Sequence, residues 1–250
     1  MRLDGAVALV TGASSGVGWA VVRRLAGAGS AVLAAGRNPD RLAALAADTG
    51  ATPLGADLSG PGAAQDLAER ALGRYGRVDI LVCNAGVGWA GPFVGMSAAA
   101  VDELVTVNLR VPVELTRMVL PGMCRRGGGH LVYVTSIAGR VGVAGEAVYA
   151  ASKAGLDVFA ESLRLELRGR RVAVSVVVPG VVDTPFFARR GRPYPRRRPR
   201  PLPPDRVAAA LVAAIARDRA EVYVPGWLRT PVAVRALAPG VYRRLAARFG

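Results

Sequence analysis

Of the 33 basic side chains in this sequence one is a lysine, Lys153, and the rest are arginine. Lys153 stands four residues after Tyr149 and seventeen after Ser136. Arginine replaces lysine well as a solvated charge, but not where a compact ammonium must sit beside a phenol and a sugar hydroxyl. A phenol titrates near pH 10 and is a poor base at neutrality, whereas a close ammonium favours the phenolate and lowers that value. A drop of about three units takes roughly 4 kcal/mol. On a helix, the i, i+4 spacing of Tyr149 and Lys153 puts both on one face. Ser136 follows an apolar run, where a loop can turn its hydroxyl toward a substrate oxygen. The three together suit moving a proton to or from that oxygen. The plainer alternative is a surface pair on a helix, with Ser136 as a cap or turn residue.

Asparagine is also rare, at positions 38, 84 and 108. Asn84 lies in Cys83-Asn84-Ala85-Gly86, at the end of an apolar run. Asn108 falls inside a long helical pattern where its propensity is poor, which predicts either a specific hydrogen bond or an exposed polar position.

Thr11-Gly12-Ala13-Ser14-Ser15-Gly16-Val17-Gly18 follows the first apolar run and opens the first helical pattern. Glycines there let the backbone turn tightly and approach a pyrophosphate, and a helix N-terminus adds free N–H groups and partial positive charge. The glycine pattern alone is common. Its place between strand and helix makes it a dinucleotide loop rather than a flexible Gly-Ser turn. The second run ends Ala34-Ala35-Gly36-Arg37-Asn38. A free ribose 2′-hydroxyl calls for a carboxylate here, a 2′-phosphate for an arginine. Gly36 supplies no carboxylate and Arg37 supplies the cation, so NADP(H) is predicted over NAD(H); otherwise Arg37 is a solvated residue where the next helix begins. Around a nicotinamide, Ser136, Tyr149 and Lys153 suit proton transfer coupled to hydride transfer.

These residues need a scaffold to bring them together. Short apolar runs at 6–10, 31–35, 52–56, 80–83, 130–135, 172–178 and 222–224 alternate with helical spacing at 17–26, 41–47, 63–72, 98–120, 146–167 and 204–217. That alternation predicts an α/β fold, a parallel sheet of about seven strands with helices on both faces. Nearly uniform apolar runs suit strands covered on both faces. Residues 1–250 read as a single domain. Within it, an Arg/Pro-rich segment at 189–203 is predicted to be irregular. In the basic tail at 226–250, Pro231 and Pro239 should break the chain into short helices. Val241, Leu245 and Phe249 share one face of the last piece.

The net charge of +15 is unevenly placed: residues 189–200 hold seven arginines and no acid, and residues 222–250 five arginines and no acid. The main body is not a generic polyanion binder, so nucleic acid is not an expected partner. Two cysteines, Cys83 and Cys124, suffice for neither a metal cluster nor a disulfide framework. The single histidine, His130, excludes a multi-histidine site and reads as structural, so no metal is expected. No signal peptide is visible and no run reaches bilayer-spanning length. A soluble, cytoplasmic protein is the expectation.

In order along the chain stand the glycine loop 11–18, Asn84-Ala85-Gly86, Asn108, Ser136, Tyr149 with Lys153, and Pro179-Gly180 with Thr184. This set resembles the short-chain dehydrogenases/reductases from residue 11 to 184, the fold pattern extends to about 224, and the resemblance implies a single three-layer Rossmann-type domain with a doubly wound parallel sheet of about seven strands. The resemblance implies Tyr149 as general acid/base and Lys153 as its electrostatic partner, also bonded to the nicotinamide ribose. Ser136 would orient the substrate oxygen, and Asn108 would hold a water in a proton relay to Lys153. For the cofactor it implies Thr11, Gly12, Ser14, Ser15, Gly16, Val17 and Gly18 at the pyrophosphate, Asp57 and Leu58 at the adenine edge, and Asn84, Ala85 and Gly86 on the adenosine side. Pro179, Gly180, Val182 and Thr184 would complete the site, Thr184 bonding the carboxamide. It also implies pairing through the two long helical patterns into a homodimer or homotetramer. Cys83 departs from the family pattern, which often has a second asparagine there. Nothing transfers to 189–203.

The sequence thus points to an NADP(H)-dependent enzyme interconverting a secondary alcohol and a ketone or aldehyde. Trp89, Phe93 and Met96 near the expected cleft suggest a small apolar substrate. Alternatives are an NAD(H)-dependent dehydrogenase of the same family, or a cofactor-binding regulator without turnover. The intact Asn108, Ser136, Tyr149 and Lys153 argue against the regulator. The arginines of 189–200 could meet acidic lipid, nucleic acid or an anionic substrate such as an acyl-CoA or phosphopantetheine carrier, but read first as a solvated lid. The basic tail could touch a membrane surface peripherally, with packing on its own domain or a neighbouring subunit as the expectation.

Overall fold

The structure, a computed structural model, describes residues 1–192, Tyr194 and 199–249, the last two as backbone only. Strands β1 (Val7–Thr11), β2 (Ala31–Gly36), β3 (Thr52–Gly55), β4 (Ile80–Cys83), β5 (Gly129–Val134), β6 (Val172–Pro179) and β7 (Glu221–Val224) form one sheet in the order β3-β2-β1-β4-β5-β6-β7. Every pairing is parallel. The helices are α1 (Gly16–Gly27), α2 (Pro39–Thr49), α3 (Ala63–Tyr75), α4 (Ala98–Val105), α5 (Val111–Arg126), α6 (Ile137–Val141), α7 (Ala147–Glu166), α8 (Phe186–Arg189), α9 (Pro204–Ala216), α10 (Arg229–Leu237) and α11 (Pro239–Phe249).

The strand sequences explain the layering. Successive side chains point to opposite faces, so an unbroken apolar run needs helices on both sides. The register aligns Leu33, Leu9, Leu81, Leu131 and Val174 across five adjacent strands. That row packs on α3, α5 and α7 through Leu67, Leu115, Leu156 and Leu163. One residue on, Ala34, Val10, Val82 and Val132 face the other way, against Val21, Leu25, Leu42, Leu45 and Leu211 of α1, α2 and α9. Fully burying one such leucine is worth about 1.5–3 kcal/mol, so these two rows dominate what holds the layers together. Parallel strands share one C-terminal edge, and β2 and β4 leave β1 in opposite directions, which opens a crevice there.

Three expectations are corrected. The pattern at 98–120 is not one helix: a π-helical turn, Thr106–Arg110, separates α4 from α5, which runs on to Arg126. Pro112 is the cause, because it has no N–H for the carbonyl of Asn108 four residues back. In the tail, Pro239 does begin a new helix, but Pro231 sits in the first turn of α10 without breaking it. Backbone N–H groups of a first turn have no intrahelical partner to lose. In the lid, Arg189 and Arg192 are exposed, but Arg190 is 8% exposed and so is not part of a solvated surface. Pro193 and residues 195–198 of that segment lie outside the described residues. No helix among the described residues is long and apolar enough to cross a membrane.

Candidate active site

Thr11 ends β1 and ties two loops together. Its hydroxyl donates to the Val82 carbonyl at 3.3 Å and accepts the N–H groups of Asn84 and Ala85, both at 3.0 Å. Asn84 returns the tie, its Nδ2 donating to the Thr11 carbonyl at 2.9 Å. Glycine is required at the crossing. Gly12 has φ +69°, and a Cβ there would lie 2.8 Å from Asn84 Nδ2 and 2.9 Å from Ala85 Cα. A Cβ on Gly18 would lie 2.3 Å from the Gly12 carbonyl oxygen. Ser15 precedes α1 without a side-chain cap bond, which leaves the first-turn N–H groups of that helix to a ligand.

The loop forms one end of a cavity of about 1800 Å³ at the C-terminal edge of the sheet. Gly12, Ser14, Ser15, Gly16 and Val17 line it, followed by Arg37, Asp57, Leu58, Asn84, Ala85 and Gly86. Farther along the same cavity lie Ser136, Tyr149, Lys153, Pro179, Gly180, Val182 and Thr184. Thr11, Gly18 and Asn108 do not line it. Thr11 and Gly18 are spent on the loop's own packing, and Asn108 is fully buried behind the wall. At the glycine-loop end two hydrogen bonds from Ser59, and then the charge of Arg37, hold the Asp57 carboxyl below its ordinary value. A cradle that only glycine fits, an uncapped helix start and a cation near the second strand's end suit a dinucleotide.

Ser136 caps α6, its Oγ accepting the Ala138 N–H at 3.1 Å, and also faces the Tyr149 phenol. Burial pushes that phenol up to about 12; Ser136 opposes the rise, Glu146 adds to it, and Arg190 pulls it down. Arg190, which the spacing did not point to, is thus one cation that acts on the phenol. Lys153 is 4% exposed and donates to the Val134 carbonyl at 3.0 Å. Burial lowers its ammonium to about 8 against the pull of Asp157 and Cys83. Cys83 is itself buried, its thiol raised to about 12.

Asn108 meets the expectation of a specific hydrogen bond. Its Oδ1 accepts the Val87 N–H at 2.9 Å, and its Nδ2 donates to the Val87 carbonyl at 3.0 Å and to Ser152 Oγ at 3.1 Å. It thereby fixes the loop after β4 against α7. His130 is structural: Ser175 Oγ donates to the Arg219 carbonyl at 2.6 Å, so it accepts from His130 Nε2 at 2.7 Å. Burial holds that imidazole near 4 and neutral.

Several site residues escaped sequence reasoning. Arg41 donates to the Ser14 carbonyl at 2.6 Å and lies over the Trp19 ring, bracing the glycine loop. Phe186 sits against the Tyr149 ring at 5.5 Å and Phe187 against Phe186 at 5.5 Å. Glu146 and Arg190 pair beside them. Trp89, Phe93 and Met96 do not line the cavity: Trp89 folds over Gly91, and Phe93 is 63% exposed. The apolar wall comes instead from Phe186, Phe187 and the tail, where Trp227, Val234 and Leu245 line the mouth. Tyr242 of α11 anchors that roof by donating to the Val141 carbonyl at 2.7 Å. Loop and tail contacts of this kind have no fixed spacing, and the tail's packing on its own chain is the expected one.

A Rossmann-type sheet with a Ser-Tyr-Lys set at its dinucleotide crevice defines a class of oxidoreductase. The family model for short chain dehydrogenases matches residues 6–194. A ketoacyl reductase of Nostoc sp. is 36% identical over 227 residues, 89% of this chain and 79% of that protein. A short-chain dehydrogenase/reductase of Burkholderia phymatum, solved with NAD, superposes with a TM-score of 0.86 at 28% identity, covering 96% of each chain. One from Sphingobium yanoikuyae, solved with NADPH, has a TM-score of 0.83 at 29% identity, covering 98% of this chain and 96% of that one. The chain belongs to the short-chain dehydrogenase/reductase family, the NAD(P)-dependent oxidoreductases that act on CH–OH and keto groups.

Proposed function

We propose that this protein is an NADP(H)-dependent enzyme interconverting a secondary alcohol and a ketone or aldehyde on a small apolar molecule, with Tyr149 as general acid/base. The observation that carries it is the convergence of Ser136, Tyr149 and Lys153 on the cavity that the glycine loop opens into. When bound, the nicotinamide supplies or accepts the hydride.

With its phenol near 12, Tyr149 is protonated at neutral pH, the state needed to donate to a carbonyl oxygen as negative charge develops there. Ser136 orients that oxygen and supplies a second hydroxyl. Lys153, near 8, is mostly charged at pH 7 and would hold the nicotinamide ribose. Asn108 keeps one lone pair of Oδ1 for the relay water that the family resemblance implies. In oxidation the same phenol must first lose its proton, so that direction gains with rising pH.

For the cofactor, a Cβ at Gly36 would stand 3.0 Å from Ser14, so a carboxylate is sterically disfavoured at the position where a free ribose would call for one, and Arg37 is exposed beside it. Solved relatives hold NAD as well as NADPH, which keeps an NAD(H) enzyme as the alternative. Sheet, lid and tail act as one domain, and the exposed Val158 and Leu165 of α7 favour a homo-oligomer.

The test is steady-state NADPH oxidation against a panel of apolar ketones. The wild type should turn over, and Tyr149→Phe should lose about 10²–10⁴ in kcat with NADPH affinity unchanged. Equal rates in the two proteins would refute the chemistry. Parallel titration with NADPH and NADH decides the preference.

A further inference from the structure

Arg190 belongs to the lid, yet its side chain is only 5% exposed. One guanidinium nitrogen pairs with Oε1 of Glu146, whose side chain is 15% exposed. Its Nε donates to the Arg192 carbonyl at 3.1 Å, and its Cζ lies 4.6 Å from the Phe187 ring centroid. Glu146 stands immediately before α7, three residues ahead of Tyr149. Gly88 makes room for the arrangement: a Cβ there would lie 2.5 Å from Phe186 Cζ and 3.2 Å from Arg190 Cβ. Among the described residues, the other charged groups on the cavity wall are placed differently. Arg37 and Asp57 lie at the glycine-loop end, Lys153 bonds to Val134, and Glu103, Arg189 and Arg192 are exposed.

The pair is therefore a closed charge couple inside the aromatic part of the cavity, beside the phenol. We propose that Glu146 and Arg190 determine substrate charge, making the cavity selective for molecules that are uncharged at the end entering it. This deepens the function proposed above and rests on it. A substrate carboxylate brought to Arg190 would share the guanidinium with Glu146 or displace it, which would set two carboxylates against each other in a poorly solvated pocket. A cationic substrate would meet the mirror-image penalty. A neutral carbonyl compound leaves the pair intact and gains the apolar contact of Phe186 and Phe187. Neutralising Glu146 without shortening it frees a buried guanidinium, whose planar fork matches a carboxylate.

The experiment compares acetophenone with 4-acetylbenzoate. Their dissociation constants from the NADP⁺-saturated protein are measured by calorimetry and their kcat/KM by NADPH oxidation. The wild type should bind acetophenone and discriminate against the carboxylate. Glu146→Gln should raise the carboxylate-to-neutral affinity ratio by at least ~30-fold, the scale of a hydrogen bond to a charged group. Glu146→Gln/Arg190→Met, which removes both charges, should return the ratio to the wild-type value and guards against a single variant that folds poorly. A wild type that prefers the carboxylate and loses it in Arg190→Met would overturn the proposal, making Arg190 an anion receptor. An unchanged ratio in well-folded Glu146→Gln would overturn it too, leaving a structural latch. Because the affinity ratio is read without turnover, failure to reduce any ketone counts against the proposed function and leaves the charge test standing.

Discussion

At the scale of single residues, Lys153 sets stability against chemistry. Its ammonium falls from 10.5 to about 8 because burial disfavours the charge. At pH 7 the group is charged both folded and unfolded, so the folded state carries a penalty on the order of 3 kcal/mol. Between pH 8 and 10.5 the unfolded chain holds the extra proton, so stability rises with pH across that window. Lys153→Met should remove the penalty and lose the bond to the Val134 carbonyl, worth about 1 kcal/mol. The expected result in urea denaturation is a gain of about 1–2 kcal/mol at pH 7 that shrinks by about 2 kcal/mol by pH 9.5, together with loss of turnover. A variant less stable than wild type at pH 7 would contradict this account. Rarity and spacing made Lys153, Tyr149 and Ser136 legible in the sequence, because an i, i+4 pair on a helix meets whatever the fold around it. The Arg190 charge on the phenol was not legible, because it crosses from the lid to α7 with no fixed spacing.

Among the elements, the π turn does the most for the site. A regular helix through 98–120 would turn Asn108 off the loop after β4; the extra residue in the turn re-aims it at Val87 and Ser152. Asn108→Ala would leave the Val87 N–H and carbonyl without their partner in a part-buried place. The expected cost is about 2–4 kcal/mol, from about 1–3 kcal/mol for each unsatisfied group. NADPH affinity should fall with it, because Asn84-Ala85-Gly86 immediately precedes the released residue. Thermal melting with and without NADPH separates the two effects, and an affinity unchanged in a destabilised variant would show that the loop does not depend on Asn108. The strands were legible almost to the residue, since unbroken apolar runs bounded by glycine and polar turns have few other uses in an α/β chain. The π turn was not: its signal, Pro112, lay inside an otherwise helical pattern, and the missing hydrogen bond becomes visible only when counted against Asn108.

For the whole molecule, α7 and α4 present an apolar surface that the fold itself does not cover. Val158 is 67% exposed and Leu165 48% exposed on α7, and Val105 is 40% exposed on α4, the helix packed beside it. At 3.6 residues per turn, Val158 and Leu165 share a face, and Val158 points away from Tyr149, nine residues earlier. The helix that presents the phenol and ammonium inward thus presents apolar side chains outward, as expected of a face covered in an assembly. A second copy set against it would hold α7 from outside and steady Tyr149 and Lys153 from behind. Val158→Asp places a charge in the middle of that contact, far from the cavity. Sedimentation should show the wild type as a dimer or tetramer and the variant shifted to monomer at the same concentration. Activity per chain should then fall on dilution at higher concentrations for the variant than for the wild type, because α7 loses its outer support. A variant that sediments like the wild type would mean that α4 and α7 do not form the contact.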